Sequence, residues 1–348
     1  MILSFISHII TWPYRLALWF RHKCYDWGLL KSFAVDIPVI SIGNITVGGT
    51  GKTPHTELVL RLLSQEVPVA VLSRGYKRSS KGFRYVETHD HVSEAGDEPL
   101  QIKRKFPAVV VAVDANRIAG INRIRQDHPQ VKLIVLDDAL QYRRLRPAYT
   151  ILLSDYYRPY TQDRLLPFGR LRDLKAQASR ADIIIVSKTP PQISSSEREH
   201  QYKLLKPNQN QKLLFSCYIY KDPCPLFPES AGVYDLSIDQ EIIALTGIAQ
   251  PKAFVDQISQ TGTVVQHLQF SDHHHFGPID IRRIHEVAAQ YPDAKIFTTE
   301  KDAVRLMEAS LLSGAVKARL YFIPIQVDFL STEECRHFKK SLSLINFF

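Results

Sequence analysis

Residues 37–42 read Ile-Pro-Val-Ile-Ser-Ile, and residues 43–53 continue at once as Gly-Asn-Ile-Thr-Val-Gly-Gly-Thr-Gly-Lys-Thr. The first stretch is a short apolar run of the kind that forms a strand buried on both faces. Past the second, Leu58, Val59 and Leu62 recur at helical spacing between Glu57 and Leu63. Strand, glycine-rich turn and helix is the context in which backbone N–H groups and a helix N-terminus bind phosphate. Gly48, Gly49, Thr50, Gly51, Lys52 and Thr53 are therefore the candidate nucleotide-binding residues, with Lys52 reaching the terminal phosphates and the Thr53 hydroxyl on magnesium. The strict motif has glycine where this chain has Thr46; Gly48, Gly49 and Gly51 supply the backbone freedom instead.

Downstream, Val131 to Leu136 is a second apolar strand, and it ends in Asp137-Asp138. On its own such a pair is a common turn signal, but beside a phosphate loop a carboxylate at a strand end holds magnesium directly or through water. Further apolar runs end near residues 72, 113, 153 and 186. The fold class expected is α/β: a P-loop NTPase-like parallel sheet domain over residues 28–215, with a second, smaller α/β domain and an N-terminal membrane-associating helix. A proline-rich connector is expected over 216–235 and the smaller domain over 236–348, with strands near 242–245, 264–268, 295–298 and 320–324.

The composition suits a folded cytoplasmic protein of two domains. Its 348 residues are 45% hydrophobic and 23% charged, with no repeat or low-complexity tract. The four cysteines show no CxxC pair or metal-finger spacing, which points to a reducing compartment. A formal charge of +9 favours phosphate-rich partners. Nucleic acid is not expected among them, because no aromatic-basic binding module is present.

From Met1 to Tyr14 there is no Lys, Arg, Asp or Glu, and Ile2, Leu3, Phe5, Ile6, Ile9, Ile10 and Trp12 make the stretch apolar. It falls short of the ~20 apolar residues of a spanning helix. Its positive charges, Arg15, Arg21 and Lys23, follow the apolar part, the reverse of a signal peptide. Residues 1–27 read as an amphipathic or partly inserted helix, with Trp12, Tyr14 and Trp19 at headgroup depth and basic residues toward an anionic membrane surface. Pro13 is expected to kink or divide it. A terminal helix folded onto the domain's own core is the alternative reading.

Four further stretches carry chemistry. Ser73-Arg74-Gly75-Tyr76-Lys77-Arg78 offers cations near the sheet edge, and Asp114-Ala115-Asn116-Arg117 follows another strand. Gly96-Asp97-Glu98-Pro99 lies in a turn-like setting, where Asp97 would be a base only beside a substrate hydroxyl. In Ser271-Asp272-His273-His274-His275 three adjacent imidazoles cannot all reach one ion, so a single histidine paired with a carboxylate is the better reading than zinc.

Residues 43–54, 73–76, 96–99, 114–117 and 137–142 together resemble the tetraacyldisaccharide 4′-kinase family, the lipid A 4′-kinases of Gram-negative bacteria. Residues 166–173, 246–249, 270–273 and 299–303 match in the same order. The resemblance implies an enzyme that transfers the γ-phosphoryl group of ATP, with Mg2+, to the 4′-hydroxyl of an acylated glucosamine disaccharide 1-phosphate at the cytoplasmic face of the inner membrane. It implies Asp97 as the base in a dyad with His273, and Lys52, Thr53, Asp137 and Asp138 as the ATP and magnesium residues. Asp173 is implied as a further metal-linked residue, although the family typically has glutamate there. Arg74, Asn116, Arg117 and Gln141 are the implied acceptor-binding residues. Where the family reads Asp-Asp-Gly-Phe-Gln-His, this chain has Ala139, Leu140 and Tyr142. The competing reading, a P-loop switch ATPase or GTPase at the membrane, lacks the guanine-reading aspartate after Ser187-Lys188-Thr189-Pro190.

Overall fold

A computed structural model describes residues 2–230, 240–343 and 345, with side chains described from Thr11 onward. The expectations placed on Ile2, Leu3, Phe5, Ile6, Ile9 and Ile10 as side chains lie outside the described residues.

Two sheets organise the chain. The larger takes its strands in the order β14-β8-β7-β6-β1-β5-β2-β4-β3. Its elements are β1 (Val39–Gly43), β2 (Val69–Ser73), β3 (Arg84–Tyr85), β4 (Val110–Val113), β5 (Leu133–Asp137), β6 (Tyr149–Asp155), β7 (Ile183–Ser187), β8 (Lys212–Tyr220) and, from the far C-terminus, β14 (Ile325–Phe329). All neighbours are parallel except the two edges, where β3 and β14 run antiparallel. Because helices cover both faces, the inner strands are buried end to end. Alternate residues feed opposite cores: Ile40 and Ile42 of β1 join one, Val39 the other. The helices of this domain are α2 (Lys52–Leu63), α3 (Val92–Ala95), α4 (Asp97–Lys105), α5 (Arg117–Asp127) and α6 (Ser195–Leu205), after a long α1 (Ile2–Asp26).

The smaller sheet has the order β11-β10-β12-β13-β9, from β9 (Cys224–Pro225), β10 (Glu241–Thr246), β11 (Thr263–Gln269), β12 (Lys295–Thr299) and β13 (Leu320–Ile323). Around it lie α7 (Lys252–Ile258), α8 (Pro278–Gln290), α9 (Glu300–Leu306) and α10 (Gly314–Lys317). The α/β class and the strand positions agree with the sequence reading. Two boundaries differ. Residues expected as connector extend β8 to Tyr220 and form β9, which pairs with β13. The end of the expected smaller domain returns to the large one: β14 pairs with β8, and α11 (Thr332–Ser343) sends Phe338 and Leu342 into the large core. Two connections, residues 221–223 and Pro324, therefore pass between the domains side by side, with Lys221 N–H donating to Pro324 O (2.9 Å).

Helix α1 is continuous through Pro13, so the proline does not divide it. One face carries exposed Trp12, Leu16, Trp19 and Phe20, an i, i+4, i+7, i+8 stripe. The opposite face holds the domain, the Tyr14 hydroxyl donating to Arg172 O (3.0 Å) and Arg21 to Gln141 O (2.9 Å), and at the helix C-terminus Arg143 pairs with Asp26 (2.9 Å). The helix thus docks by its polar face and leaves its apolar stripe outside, which is not the burial that folding onto a core would give.

Candidate active site

The phosphate loop runs from Asn44 to Gly51 between β1 and α2. Gly48 and Gly51 have φ of 98° and 87°, and a Cβ on Gly51 would collide with the Tyr218 hydroxyl, so glycine is required there. Thr46 sits in an antiparallel bridge with Leu171, flanked by Val47 N–H to Arg170 O (2.7 Å) and Arg172 N–H to Ile45 O (2.9 Å). That pairing holds the backbone extended at the position where the strict motif needs glycine. Asn44 Nδ2 donates to Thr50 Oγ1 (2.6 Å), and Ser187 Oγ to Thr50 O (2.8 Å). Buried His55 donates from Nδ1 to Gly51 O (2.7 Å) and accepts at Nε2 from Ser216 Oγ (2.9 Å). Burial lowers its imidazole to about 4, which keeps it neutral in that tautomer. This buttress was missed in the sequence, where its only signal is a histidine four residues after Gly51, one helical turn on.

Strand β5 lies directly beside β1, with Asp137 in register with Ile42. Lys52 is the first residue of α2 and Thr53 the second, and Thr53 is buried. Asp137 is fully buried; its Oδ1 accepts from Thr56 Oγ1 (3.4 Å) and its Oδ2 has no partner. Burial pushes this carboxyl up to about 8, helped by the charges of Glu98 and Asp138. An orphaned, buried carboxylate oxygen beside a phosphate loop fits a magnesium ion, a hard cation taking one or two carboxylates plus substrate phosphates. Asp138, left-handed at φ 55°, accepts from Arg172 Nη1 (2.9 Å) and lies 3.9 Å from Lys52 Nζ. Burial would raise its carboxyl, but Lys52 and then Arg172 outweigh this and hold it below the usual range.

Asp173, the further metal-linked residue that the resemblance implies, packs against α1: it is fully buried, its Oδ1 accepts from His22 Nε2 (2.6 Å) and from Leu174 N–H (2.8 Å), and its Oδ2, like that of Asp137, has no partner among the described residues.

The other half of the site comes from both domains. Asp97 opens α4 after Gly96, whose φ is 90°. His273, in the loop after β11 with a left-handed φ of 59°, places Nδ1 2.8 Å from Asp97 Oδ2. The two expected dyad residues are thus brought together from 176 positions apart. Arg305 of α9 donates to the same oxygen from Nη2 (2.6 Å), and Lys301 lies 3.1 Å from His273 Nε2. Burial acts to raise the Asp97 carboxyl; the His273 hydrogen bond and the Lys301 and Arg305 charges more than reverse this and hold it well below the ordinary carboxylate range. Neighbouring His274 pairs with a different carboxylate, Asp280 (2.9 Å), so the imidazoles diverge. Arg305 was missed in the sequence; its signal is the spacing of one turn from Lys301 on a helix already singled out by Thr299 to Ala303.

Of the expected acceptor residues, Arg74 is exposed beyond β2. Arg117 is buried, donating to Asp114 O and Ala115 O (3.1 Å each), with Nε unpaired. Asn116 caps α5 and accepts from the Tyr142 hydroxyl (3.1 Å). Gln141 faces inward, its Nε2 donating to Asn44 O (2.7 Å), so its side chain holds the phosphate loop.

The family described as tetraacyldisaccharide-1-P 4′-kinase matches residues 3–342. This chain belongs to that family. Tetraacyldisaccharide 4′-kinases of Phocaeicola vulgatus and Bacteroides thetaiotaomicron are 42% and 39% identical to it, each over 93% of this chain and 90% and 89% of their own. The kinase LpxK of Aquifex aeolicus, solved as an "apo" form in complex with ATP, superposes with a TM-score of 0.75 at 25% identity, covering 99% of this chain and all of that one.

The structure gives physical accounts of two of this chain's three departures from the 4′-kinase pattern. Tyr142, in place of histidine, ties its hydroxyl to Asn116 and lays its ring under the Arg117 guanidinium at 5.6 Å. Leu140, in place of phenylalanine, packs in the core beside Ile45.

Proposed function

We propose that this chain phosphorylates the 4′-hydroxyl of tetraacyldisaccharide 1-phosphate with ATP. The acceptor oxygen attacks the γ-phosphorus, its proton passes to Asp97, and ADP leaves. The observation that carries the reading is the Asp97 carboxylate, kept ionised by the His273 hydrogen bond at 2.8 Å and by the Lys301 and Arg305 charges, in a chain that also carries the phosphate loop at the start of α2. Phosphoryl transfer has little covalent work for a protein, so positioning and charge neutralisation dominate. In this reading Lys52 and the loop amides hold the terminal phosphates, and Arg74 and Arg117 supply positive charge to an anionic acceptor. Magnesium, held by Thr53 and Asp137 with Asp138 nearby, would neutralise the phosphate oxygens. ADP release that depends on the disaccharide acceptor tests the reading. ATP hydrolysis indifferent to it, with nucleotide exchange regulated by another partner, would return the case to a switch ATPase.

The acceptor is lipid, and the exposed stripe of α1 continues through Trp27, Leu29, Leu30 and Phe33. No described helix is long and apolar enough to cross a membrane. A helix docked by its polar face with an exposed aromatic stripe suits peripheral attachment to an anionic membrane surface, here assigned to the cytoplasmic face of the inner membrane. Deletion of residues 1–27 is expected to remove the protein from floated anionic vesicles. Equal flotation of the truncated chain would refute the anchor.

A further inference from the structure

Asp97 belongs to the large domain, and the side chains that hold it belong to the small one. Arg305 is buried and commits four of its five N–H donors: Nη2 and Nε lie 2.6 and 3.3 Å from Asp97 Oδ2, and Nη1 donates to Asp302 Oδ1 (2.8 Å) and Gly247 O (3.2 Å). Asp302 is in turn fixed by Thr299 Oγ1 (2.6 Å) and Gly247 N–H (2.9 Å), so the guanidinium sits in a rigid seat. His273 Nδ1 approaches the same Oδ2 at 2.8 Å, whereas among the described residues Oδ1 takes only the Glu98 amide, at 3.0 Å. Lys301 Nζ lies 3.1 Å from His273 Nε2. An ammonium has only donors, so Nε2 accepts and the ring proton sits on Nδ1, facing Asp97.

We propose that Arg305 and Lys301 are positioning residues for phosphoryl transfer: Arg305 pins Asp97 Oδ2 so that Oδ1 meets the acceptor hydroxyl, and Lys301 fixes His273 as the neutral Nδ1–H tautomer. The proposal rests on the kinase reading above. It also makes the base an interdomain assembly, since α9 and the β11–α8 loop must both be seated on α4 before Oδ2 is saturated. His273 is a non-glycine residue in left-handed backbone, a conformation that persists where the surroundings hold it, and here the ring is held by Asp97 and Lys301.

Two cations, Arg305 and Lys301, face the Asp97–His273 pair, together with the carboxylates Glu98 (3.5 Å from Lys301), Asp272 (3.7 Å from Lys301, 3.9 Å from His273) and Asp302; the Tyr76 ring packs edge-on to His273. Removing either cation leaves acidic neighbours that disfavour ionised Asp97. Its pKa rises, and activity that needs the carboxylate is lost at a higher pH than in the wild type.

The test is the pH profile of kcat/KM for the disaccharide acceptor in wild type, Arg305→Met, Arg305→Lys and Lys301→Met. Arg305→Met should move the acid limb up by about one unit or more and lower the plateau by about 10²-fold through misplacement of the base. Arg305→Lys keeps the charge and should restore the limb's position while recovering only part of the plateau. Lys301→Met, at a partly exposed site, should move the limb in the same direction and turn the His273 ring nitrogen-15 signals from the Nδ1–H pattern to a tautomer mixture. Acid limbs that superimpose on wild type in both methionine variants, with an unchanged His273 signature, would overturn the proposal. If Arg305→Met fails to fold, Lys301→Met decides alone. A wild type that never phosphorylates the acceptor would overturn the kinase reading instead, while the nitrogen-15 signature would still report on the clamp.

Discussion

Asp97→Asn lowers kcat by about 10²–10⁴-fold, the usual contribution of a positioned general base, and leaves ATP affinity nearly unchanged. Asparagine keeps the volume and can still accept from Arg305, so the interdomain contact survives, but it cannot take the acceptor's proton. The phosphate loop is on other elements, β1 and α2, and no hydrogen bond of Asp97 reaches it. Rapid-mixing turnover with a separate nucleotide-binding titration resolves the two quantities. A parallel loss of ATP affinity would remove Asp97 from the role of base and make it a nucleotide-site residue.

Lys52→Ala acts on both quantities. The ammonium at the start of α2 is proposed to meet the terminal phosphates, where one lost charge-stabilising donor typically costs about 10²–10³-fold in turnover. It also balances Asp138, which in its absence keeps Arg172 as its cation. ATP affinity should therefore fall together with kcat, and a melt without nucleotide should fall by less than the ATP-induced shift does, because the ion pair of Lys52 among the described residues is that 3.9 Å contact and Asp138 keeps Arg172. ATP-induced thermal stabilisation reads the binding term directly. An unaltered ATP shift in Lys52→Ala would mean that the loop amides alone hold the nucleotide.

The sequence carries the local part of this architecture plainly. Strands such as Val39–Gly43 and Leu133–Asp137, buried on both faces, read as apolar runs, and the helix starts that follow them are marked by glycine and by Gly51-Lys52-Thr53. What it does not carry is long-range pairing. Ile325-Gln326-Val327-Asp328-Phe329 alternates as a half-buried strand, but nothing local says that it closes the edge of the large sheet on β8. The same limit hides side chains whose role is set by a distant partner. Gln141 turns inward to Asn44, Asp173 meets His22 of α1, and Arg305 finds Asp97 at 208 positions' separation. His55 is legible only once Ser216 is seen across from it. Asp97 and His273 were the exception, because the resemblance to the family supplied a pairing that spacing alone leaves open.

The most direct test of the account is transfer of labelled γ-phosphate from ATP to purified tetraacyldisaccharide 1-phosphate in detergent, with wild type and Asp97→Asn run side by side. The account predicts labelled lipid carrying phosphate at the 4′ position with wild type and almost none with Asp97→Asn, although both bind ATP. Equal labelling by the two proteins, or ATP turnover by wild type with no label in the lipid, would contradict it.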